Sequence, residues 1–509
     1  MTILEACNIT KQFPGVLAND NVNFSVERGE IHVLLGENGA GKTTLMNILY
    51  GLESPTSGEI KLNGEPVTFN SPNDAIRQGI GMVHQHFMLV PVFTVTENIV
   101  LGVEETQKRS GWLGRLGLLD RKSPEARIRE LSERFSLSVN PRSLVGDLPV
   151  GIQQKVEIIK ALYRGAQTLI LDEPTAVLTP QEVTELFNVI RALTQQGISV
   201  ILITHKLKEV LAISNRISVM RQGKIVGTVK PTEVTEATLA EMMVGRKVIL
   251  QVEKTPASPR KPVLQISGLY VLDDRRQNAV DGVDLTVCAG EIVGIAGVQG
   301  NGQTELVEAI TGLRSVAKGN IVTLGQDMTR GNPRQIIETG VGHIPEDREK
   351  HGLVKTYSLS DNCALCTYYK PPFAKGIVLQ EEAIAQYASR LIQEFDVRPA
   401  NPQYQAGALS GGNKQKVIIA RELSREAKLL IASQPTRGVD VGSIEFIHKR
   451  IVAARDEGMG VLLISAELDE ILALCDRVAV MFKGKIIETL SMAQATRERL
   501  GLLMAGVKE

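Results

Sequence analysis

The most constraining feature of this sequence is that its second half repeats its first half at a fixed distance. Glycines, prolines and charged residues recur with the same spacing, 261 positions further along the chain. The matching pairs are Gly29-Glu30-Ile31 with Gly290-Glu291-Ile292, Gly36 with Gly297, Gly41 with Gly302, Leu148 with Leu409, Gly151 with Gly412, Pro174-Thr175 with Pro435-Thr436, and Gly223-Lys224-Ile225 with Gly484-Lys485-Ile486. A constant offset over so long a stretch indicates two copies of one domain and excludes a short solenoid repeat.

The join between the two copies lies in a proline-rich stretch. Three prolines fall within the nine residues from Lys254 to Pro262, a composition typical of a short extended linker. We therefore predict a first domain at residues 1–249, a linker at 250–262 and a second domain at 263–509. With 43% hydrophobic and 22% charged residues the chain has a globular composition, which excludes a wholly disordered protein.

Short apolar runs alternate with helical patterns along the chain. In the first half, Ile31–Leu35, Thr168–Leu171 and Val200–Ile203 have the composition of buried parallel strands, and Lys42–Leu49 has apolar residues at helical spacing. Strands that alternate with helices predict an α/β sheet in each half. Residues from about 87 to 165 lack such strands and predict an inserted helical lobe.

Charge and apolar patterning narrow the setting in which the chain works. Lys+Arg and Asp+Glu both number 57, and the resulting zero net charge argues against a nucleic-acid partner, which needs a cationic surface. The sequence contains no apolar run of about 18 residues and no secretory signal at its N-terminus. Five cysteines do not make a disulfide framework. We therefore expect a protein of a reducing compartment that does not span a membrane.

The segment Gly36–Thr43 reads Gly-Glu-Asn-Gly-Ala-Gly-Lys-Thr and fits the phosphate-binding pattern G-x-x-x-x-G-K-[ST]. Its glycines let backbone N–H groups converge on phosphates at a helix N-terminus. Lys42 then neutralises the terminal phosphates, and the Thr43 hydroxyl ligates Mg²⁺. The strand before this loop and the helix after it distinguish it from an ordinary glycine-rich turn. The phosphates of a nucleotide and Mg²⁺ are therefore the predicted ligands.

Two adjacent carboxylates, Asp172 and Glu173, end a predicted strand. Asp172 can hold Mg²⁺ directly or through water, and Glu173 can accept a proton from an attacking water. Three further polar or aromatic positions are weak signals when each is taken alone. His205 also suits a structural histidine, Gln85 a polar loop residue and Phe13 a core aromatic.

Taken together, these residues resemble the ATP-binding cassette of ABC transporters, and the resemblance covers the chain twice. It implies two tandem P-loop ATPase cassettes, each an α/β core with an inserted helical subdomain. It also implies that Phe13 stacks on adenine, that Gln85 contacts the metal, and that His205 contacts the γ-phosphate. The implied catalytic set is Lys42, Gln85, Glu173 and His205, the metal set is Thr43, Gln85 and Asp172, and the nucleotide-binding set is Phe13, Gly36, Asn38, Gly39, Ala40, Gly41, Lys42, Thr43, Thr44, Gln85, Asp172, Ser410, Gly411 and Gly412.

The two halves differ at the positions that carry chemistry. From the first half to the second, the changes are Lys42 to Gln303, Gln85 to Glu346, Asp172 to Ser433, Glu173 to Gln434, and His205 to Ala466. The signature of the family shows the opposite asymmetry. It stands as Leu-Ser-Gly-Gly-Asn at 409–413, whereas residues 148–152 read Leu-Pro-Val-Gly-Ile. Ser410 can donate to a γ-phosphate oxygen, but Pro149 has neither a hydroxyl nor an N–H.

Cassettes of this family pair head to tail, so each ATP lies between one phosphate loop and the other signature. The resemblance therefore implies that the two halves pair within one chain. The intact loop of the first half then faces the intact signature of the second, and the damaged loop faces the damaged signature. The alternative is that both halves are independent ATPases, each of which would need another partner.

The resemblance implies an ATP-hydrolysing motor subunit of a bacterial importer, peripheral to the cytoplasmic face of the cell membrane. Its expected partners are integral membrane permease subunits and, through them, an extracytoplasmic substrate-binding protein. The permease contact is expected around residues 86–93 and 346–362, although the apolar stretch 86–93 equally suits buried core.

Three stretches resemble the nucleoside-import branch, namely Met82–Pro91, Val150–Lys155 and Thr175–Glu182. Importers of simple sugars, of the ribose and galactose type, are the alternative. Pro149 departs from the serine expected in the nucleoside branch. A remoter alternative is a soluble twin-cassette ATPase that acts on ribosomes or DNA. The short linker, the balanced charge and the damaged second site argue against it.

Overall fold

The computed structural model of the chain describes residues 2–84, 87–104, 120, 122–175, 178, 180–247, 252–298 and 300–507. The chain divides into two compact units, Met1–Val248 and Ile249–Glu509. Within the described residues, no helix has both the length and the apolar composition needed to cross a bilayer.

The first unit alternates strands with helices along the described chain. Its strands are β1 (Thr2–Phe13), β2 (Val16–Glu27), β3 (Ile31–Gly36), β4 (Ser57–Leu62), β5 (Glu65–Val67), β6 (Ile80–Val83), β7 (Thr168–Asp172), β8 (Ser199–Thr204), β9 (Arg216–Arg221) and β10 (Lys224–Val229). Its helices are α1 (Lys42–Leu49), α2 (Pro72–Arg77), α3 (Val95–Val100), α4 (Lys122–Arg134), α5 (Val150–Tyr163), α6 (Pro180–Gln195), α7 (Leu207–Ile213) and α8 (Glu236–Val244).

Two sheets form the body of the first unit. An antiparallel sheet has the order β2-β1-β4-β5, and a six-stranded sheet has the order β10-β9-β3-β8-β7-β6. In the second sheet β6, β7, β8, β3 and β9 pair in parallel. Strands β3 and β8 are wholly buried, as their continuous apolar sequences predict. Helix α1 packs Leu45, Met46 and Leu49 into the core that these sheets share.

The second unit repeats this architecture. Its strands are β11 (Pro262–Leu272), β12 (Asn278–Cys288), β13 (Ile292–Ala296), β14 (Val316–Thr323), β15 (Gln326–Asp327), β16 (Val341–Ile344), β17 (Ala374–Lys375), β18 (Val378–Leu379), β19 (Leu429–Ser433), β20 (Gly460–Ser465), β21 (Arg477–Phe482) and β22 (Lys485–Ser491). Its helices are α9 (Gln303–Ile310), α10 (Pro333–Glu338), α11 (Leu359–Ala364), α12 (Glu381–Glu394), α13 (Gly411–Leu423), α14 (Val441–Asp456), α15 (Leu468–Leu474) and α16 (Arg497–Met504). Its larger sheet has the matching order β16-β19-β20-β13-β21-β22.

The α/β prediction is confirmed in both units, and so is the helical lobe. Between β6 and β7 the described chain forms α3, α4 and α5 and no strand. The second unit places α11, α12 and α13 between β16 and β19, with a small hairpin of β17 and β18. Strand β11 begins at Pro262, the last residue of the predicted linker, because this end of the segment pairs with β12.

An ion pair at the amino-terminal ends of the parallel strands recurs at the same place in both units. Arg216 at the start of β9 binds the Glu30 carboxylate with Nε at 2.8 Å and Nη2 at 2.9 Å. In the second unit, Arg477 binds Glu291 with Nη2 at 2.9 Å and Nε at 3.1 Å. Two parallel N–H···O bonds fix a guanidinium against a carboxylate, so each pair ties the start of a strand to the turn before β3 or β13.

We expect Glu30→Ala to lower the free energy of unfolding by about 1–3 kcal/mol, because it leaves the largely buried Arg216 without its carboxylate. Urea unfolding followed by circular dichroism measures the change. Glu185→Ala is the matched control, since Glu185 pairs with Lys155 while 62% exposed, and its loss should not exceed about 1 kcal/mol. Equal losses in the two variants would contradict the structural role of the Arg216 pair.

Candidate functional site

The candidate site of the first unit begins where β3 ends and α1 starts. Gly41 precedes α1 with φ 101°, a left-handed conformation that favours glycine. A Cβ atom there would lie 2.2 Å from the Ala18 carbonyl oxygen, and one at Gly36 would lie 2.4 Å from the Met220 carbonyl oxygen. Both glycines of the pattern are therefore required by close backbone contacts. The loop between them leads into the N-terminus of α1, where backbone N–H groups favour anions.

The Lys42 side chain curls back into this loop. Its Nζ donates to the carbonyl oxygens of Gly36 at 2.7 Å and Glu37 at 2.9 Å. Burial lowers the pKa of Lys42, and the nearby carboxylates of Glu173 and Asp172 partly counteract that shift. The cation thus lies inside the loop, within electrostatic reach of the two carboxylates.

The parallel pairing of β7 with β8 positions Asp172, the last residue of β7, and Glu173, which comes directly after it. Burial, followed by the adjacent Glu173 charge, raises the pKa of Asp172 to about 6. Glu173 has φ 45°, and its N–H donates to the Ile203 carbonyl oxygen at 2.9 Å. A left-handed conformation outside glycine is uncommon and concentrates at functional sites. Here it turns the chain sharply at the carboxyl edge of the sheet.

Glu173 and His205 are held together at this edge. His205 Nδ1 lies 2.9 Å from Glu173 Oε1, and both side chains are largely buried. Burial opposes ionisation of Glu173, but the hydrogen bond and charge of His205, together with Lys42, outweigh it and lower the pKa of Glu173. The Glu173 carboxylate is therefore ionised and oriented by an imidazole.

The other predicted nucleotide contacts of the first unit differ in their exposure. In the loop, Ala40 is buried, Asn38 and Gly39 are exposed, Thr43 is exposed and Thr44 is half-buried. Phe13 ends β1 half-buried, with Lys11 Nζ 4.9 Å from the centre of its ring. Gln85 lies outside the described residues. The carboxylate of Asp172 and the hydroxyl of Thr43 are hard oxygen donors, a set that fits Mg²⁺.

The second unit keeps the backbone of this site without its charges. Gly302 also has φ 101°, and Gln303 Nε2 donates to the Val298 carbonyl oxygen at 3.1 Å, as Lys42 does to Glu37. Gln434 has φ 49°, and its Oε1 accepts from the Ala466 N–H at 3.2 Å. Uncharged side chains therefore occupy the positions of Lys42, Glu173 and His205 in an unchanged frame.

The two signature segments begin equivalent helices in different ways. Ser410 caps α13, and its Oγ accepts from Asn413 Nδ2 at 3.0 Å. A Cβ at Gly412 would lie 2.4 Å from Asp440 Oδ2, so the segment packs closely there. Pro149 precedes α5 and supplies no side-chain cap.

Sequence reasoning missed two features of these sites. Asn19 is fully buried in β2 and donates from Nδ2 to the Gly41 carbonyl oxygen at 3.1 Å, which supports the loop from below. In the second unit, Glu346 binds both Arg437 and Thr304. The repeat itself offered a signal for the second feature, because Arg437 stands where the first half has Ala176.

Comparison with known proteins agrees with this geometry. The profile of the ABC transporter family matches residues 19–176 and 280–437, together more than half of the chain. The nucleoside import ATP-binding protein NupA of Lactococcus lactis subsp. cremoris (strain MG1363) is 52% identical, over 99% of this chain and 98% of that protein.

Two further relatives match over nearly their whole length. The guanosine import ATP-binding protein NupO of Bacillus subtilis (strain 168) is 51% identical, over 99% of this chain and 97% of that protein. The glucose import ATP-binding protein TsgD13 of Haloferax volcanii is 49% identical, over 98% of this chain and 95% of that protein. Two matched segments, two copies of one α/β unit and full-length relatives lead to one conclusion: the chain belongs to the ABC transporter family, as an ATP-binding protein with two cassettes.

Proposed function

We propose that this chain is the ATP-hydrolysing subunit of a nucleoside importer, with one competent catalytic site. The observation that carries the proposal is the cluster of Lys42, Asp172, Glu173 and His205 in the first unit, against neutral residues in the same frame of the second. The nucleoside cargo is supported by the 52% and 51% identity to NupA and NupO. The 49% identity to TsgD13 keeps a sugar as the second candidate cargo.

The side chains of the first unit divide the work of hydrolysis. Lys42 and the backbone N–H groups of the loop bind the β- and γ-phosphates. Thr43, Gln85 and Asp172 would hold Mg²⁺, which would neutralise phosphate charge. Glu173 accepts a proton from the attacking water, and His205 keeps that carboxylate oriented through Nδ1.

From the head-to-tail pairing that the family resemblance implies, we propose that the signature of the second unit completes this catalytic site. Ser410 donates to the γ-phosphate, and Gly411 and Gly412 allow close approach of the backbone at the start of α13. Support comes from the opposite asymmetries of the two halves, since Pro149 stands where the damaged loop would need a serine. We propose that ATP binding closes the two halves and that loss of the γ-phosphate contacts lets them reopen.

Membrane permease subunits couple the conformational change driven by ATP hydrolysis to movement of the cargo. Met88 and Val92 are 65% and 76% exposed, which favours the docking interpretation of this stretch over buried core. We place the permease contact there and around residues 346–362, with the chain peripheral to the cytoplasmic face of the membrane. The extracytoplasmic binding protein acts indirectly, through the permeases.

We expect Glu173→Gln to reduce ATP turnover by about 100-fold or more, because it removes the proton acceptor while keeping the shape of the side chain. Steady-state phosphate release from the purified chain measures the effect. Gln434→Ala is the matched control in the second unit and should stay within about twofold of the unchanged chain. Turnover that survives Glu173→Gln would remove Glu173 from the role of base.

The cargo is tested by uptake of labelled uridine, adenosine, ribose and glucose in cells with and without the chain. We expect deletion to abolish uridine and adenosine uptake alone, and Lys42→Ala to fail to restore it, because the loop then lacks its cation. Loss of ribose or glucose uptake alone would instead identify the chain as the ATPase subunit of a sugar importer. Unchanged uptake of all four compounds would contradict the nucleoside proposal.

A further inference from the structure

The second unit differs from the first at two of the three expected metal-binding positions and keeps the threonine. The counterparts of Thr43, Gln85 and Asp172 are Thr304, Glu346 and Ser433, each 261 positions later. Ser433 is buried and neutral, so the end of β19 supplies no carboxylate. The one carboxylate of the set has moved to Glu346, in the segment that follows β16.

The Glu346 carboxylate forms an ion pair with an arginine of the same unit. Its Oε1 lies 2.6 Å from Arg437 Nη1, and its Oε2 accepts from Thr304 Oγ1 at 3.2 Å. Thr304 is the second residue of α9, directly after the loop. The Arg437 guanidinium therefore binds Glu346, whose counterpart in the first unit, Gln85, is expected to bind Mg²⁺.

The backbone that carries Arg437 is held by a second arginine. Arg348 donates from Nη1 to the Arg437 carbonyl oxygen at 2.6 Å and from Nη2 to the Gly438 carbonyl oxygen at 3.1 Å. Neither arginine exists in the first half, where the same positions are Phe87 and Ala176. Arg348 and Arg437 thus form a feature that belongs to the second half alone.

These residues do not fit Mg²⁺. The ion requires oxygen ligands in octahedral geometry, commonly with one or two carboxylates. Here both oxygens of Glu346 accept hydrogen bonds from protein groups, and the carboxylate at the strand end is absent. An arginine instead offers a permanent charge and a fork of N–H donors that matches phosphate oxygens. The loop beside it keeps its glycine frame and its internal hydrogen bond from Gln303.

We infer that the second unit binds a nucleoside triphosphate without a divalent cation, with Arg437 in the position that the cation takes in the first unit. The inference rests on the proposed function only in treating both loops as nucleotide sites. Glu346 holds the guanidinium beside Thr304, and Arg348 fixes the backbone that carries it. Such a site retains nucleotide and cannot hydrolyse it, because Gln434 and Ala466 supply neither base nor histidine.

The test uses the full chain with Lys42→Ala, so that the second site is the one measured. Binding of a fluorescent ATP analogue is followed with Mg²⁺ and with EDTA. We expect the dissociation constant to change by less than about threefold between the two conditions. Arg437→Ala in the same background should weaken binding about tenfold or more. Arg334→Ala is the matched control, since Arg334 pairs with Glu338 elsewhere in the unit and should leave the affinity unchanged.

A second measurement counts ions directly. Glu173→Gln saturated with ATP and Mn²⁺ should hold two nucleotides and one Mn²⁺ per chain, counted by electron paramagnetic resonance and nucleotide release. Two Mn²⁺ per chain, loss of binding in EDTA, or no nucleotide binding at the second site would each overturn the inference. ATP turnover of the unchanged chain is measured alongside. Absence of turnover would contradict the proposed function. The metal dependence of nucleotide binding at the second site is measured independently of that result.

Discussion

The parallel register of β3, β8 and β7 determines where Lys42, His205 and Glu173 lie in the first unit. Leu35 stands opposite Thr204, and Asp172 stands opposite Ile203, so three neighbouring strands end at one edge. The phosphate loop, Glu173 and His205 each follow directly from one of those ends. Since these strands are buried and pair with one another, a shift in register would separate Glu173 from His205.

Burial at this edge disfavours the charged forms of Lys42 and Asp172, and the attraction between their opposite charges partly counteracts that effect. Desolvation lowers the pKa of Lys42 and raises that of Asp172 to about 6. A bound phosphate favours the charged lysine and a bound cation favours the charged aspartate. In the second unit the uncharged Gln303 and Ser433 stand at the positions of Lys42 and Asp172, so neither position carries a buried charge. The repeated fold is therefore independent of the catalytic charges.

The sequence predicted the fold well because the repeat, the glycine loop and the apolar strands are local patterns. Close backbone contacts at Gly36 and Gly41 explain why those two glycines recur in the second half. The roles of Gln85 and of the Ser410 signature stay predictions. The cluster of Glu346 and Arg437 was not predictable from spacing, because 91 residues separate partners that only the tertiary fold brings together. Asn19 was missed because a buried amide among strand residues has no periodic signal.

We propose one catalytic site built from the loop of the first half and the signature of the second, as the family resemblance implies. Orthovanadate trapped with ADP in place of the γ-phosphate cleaves the backbone that contacts it under ultraviolet light. Mapping the fragments of the irradiated chain therefore identifies the residues around the transferred phosphate. We expect cuts within 36–43 and near Ser410, and none within 297–304 or near Pro149. Equal cleavage of both loops, or a cut in the first loop without one near Ser410, would contradict it.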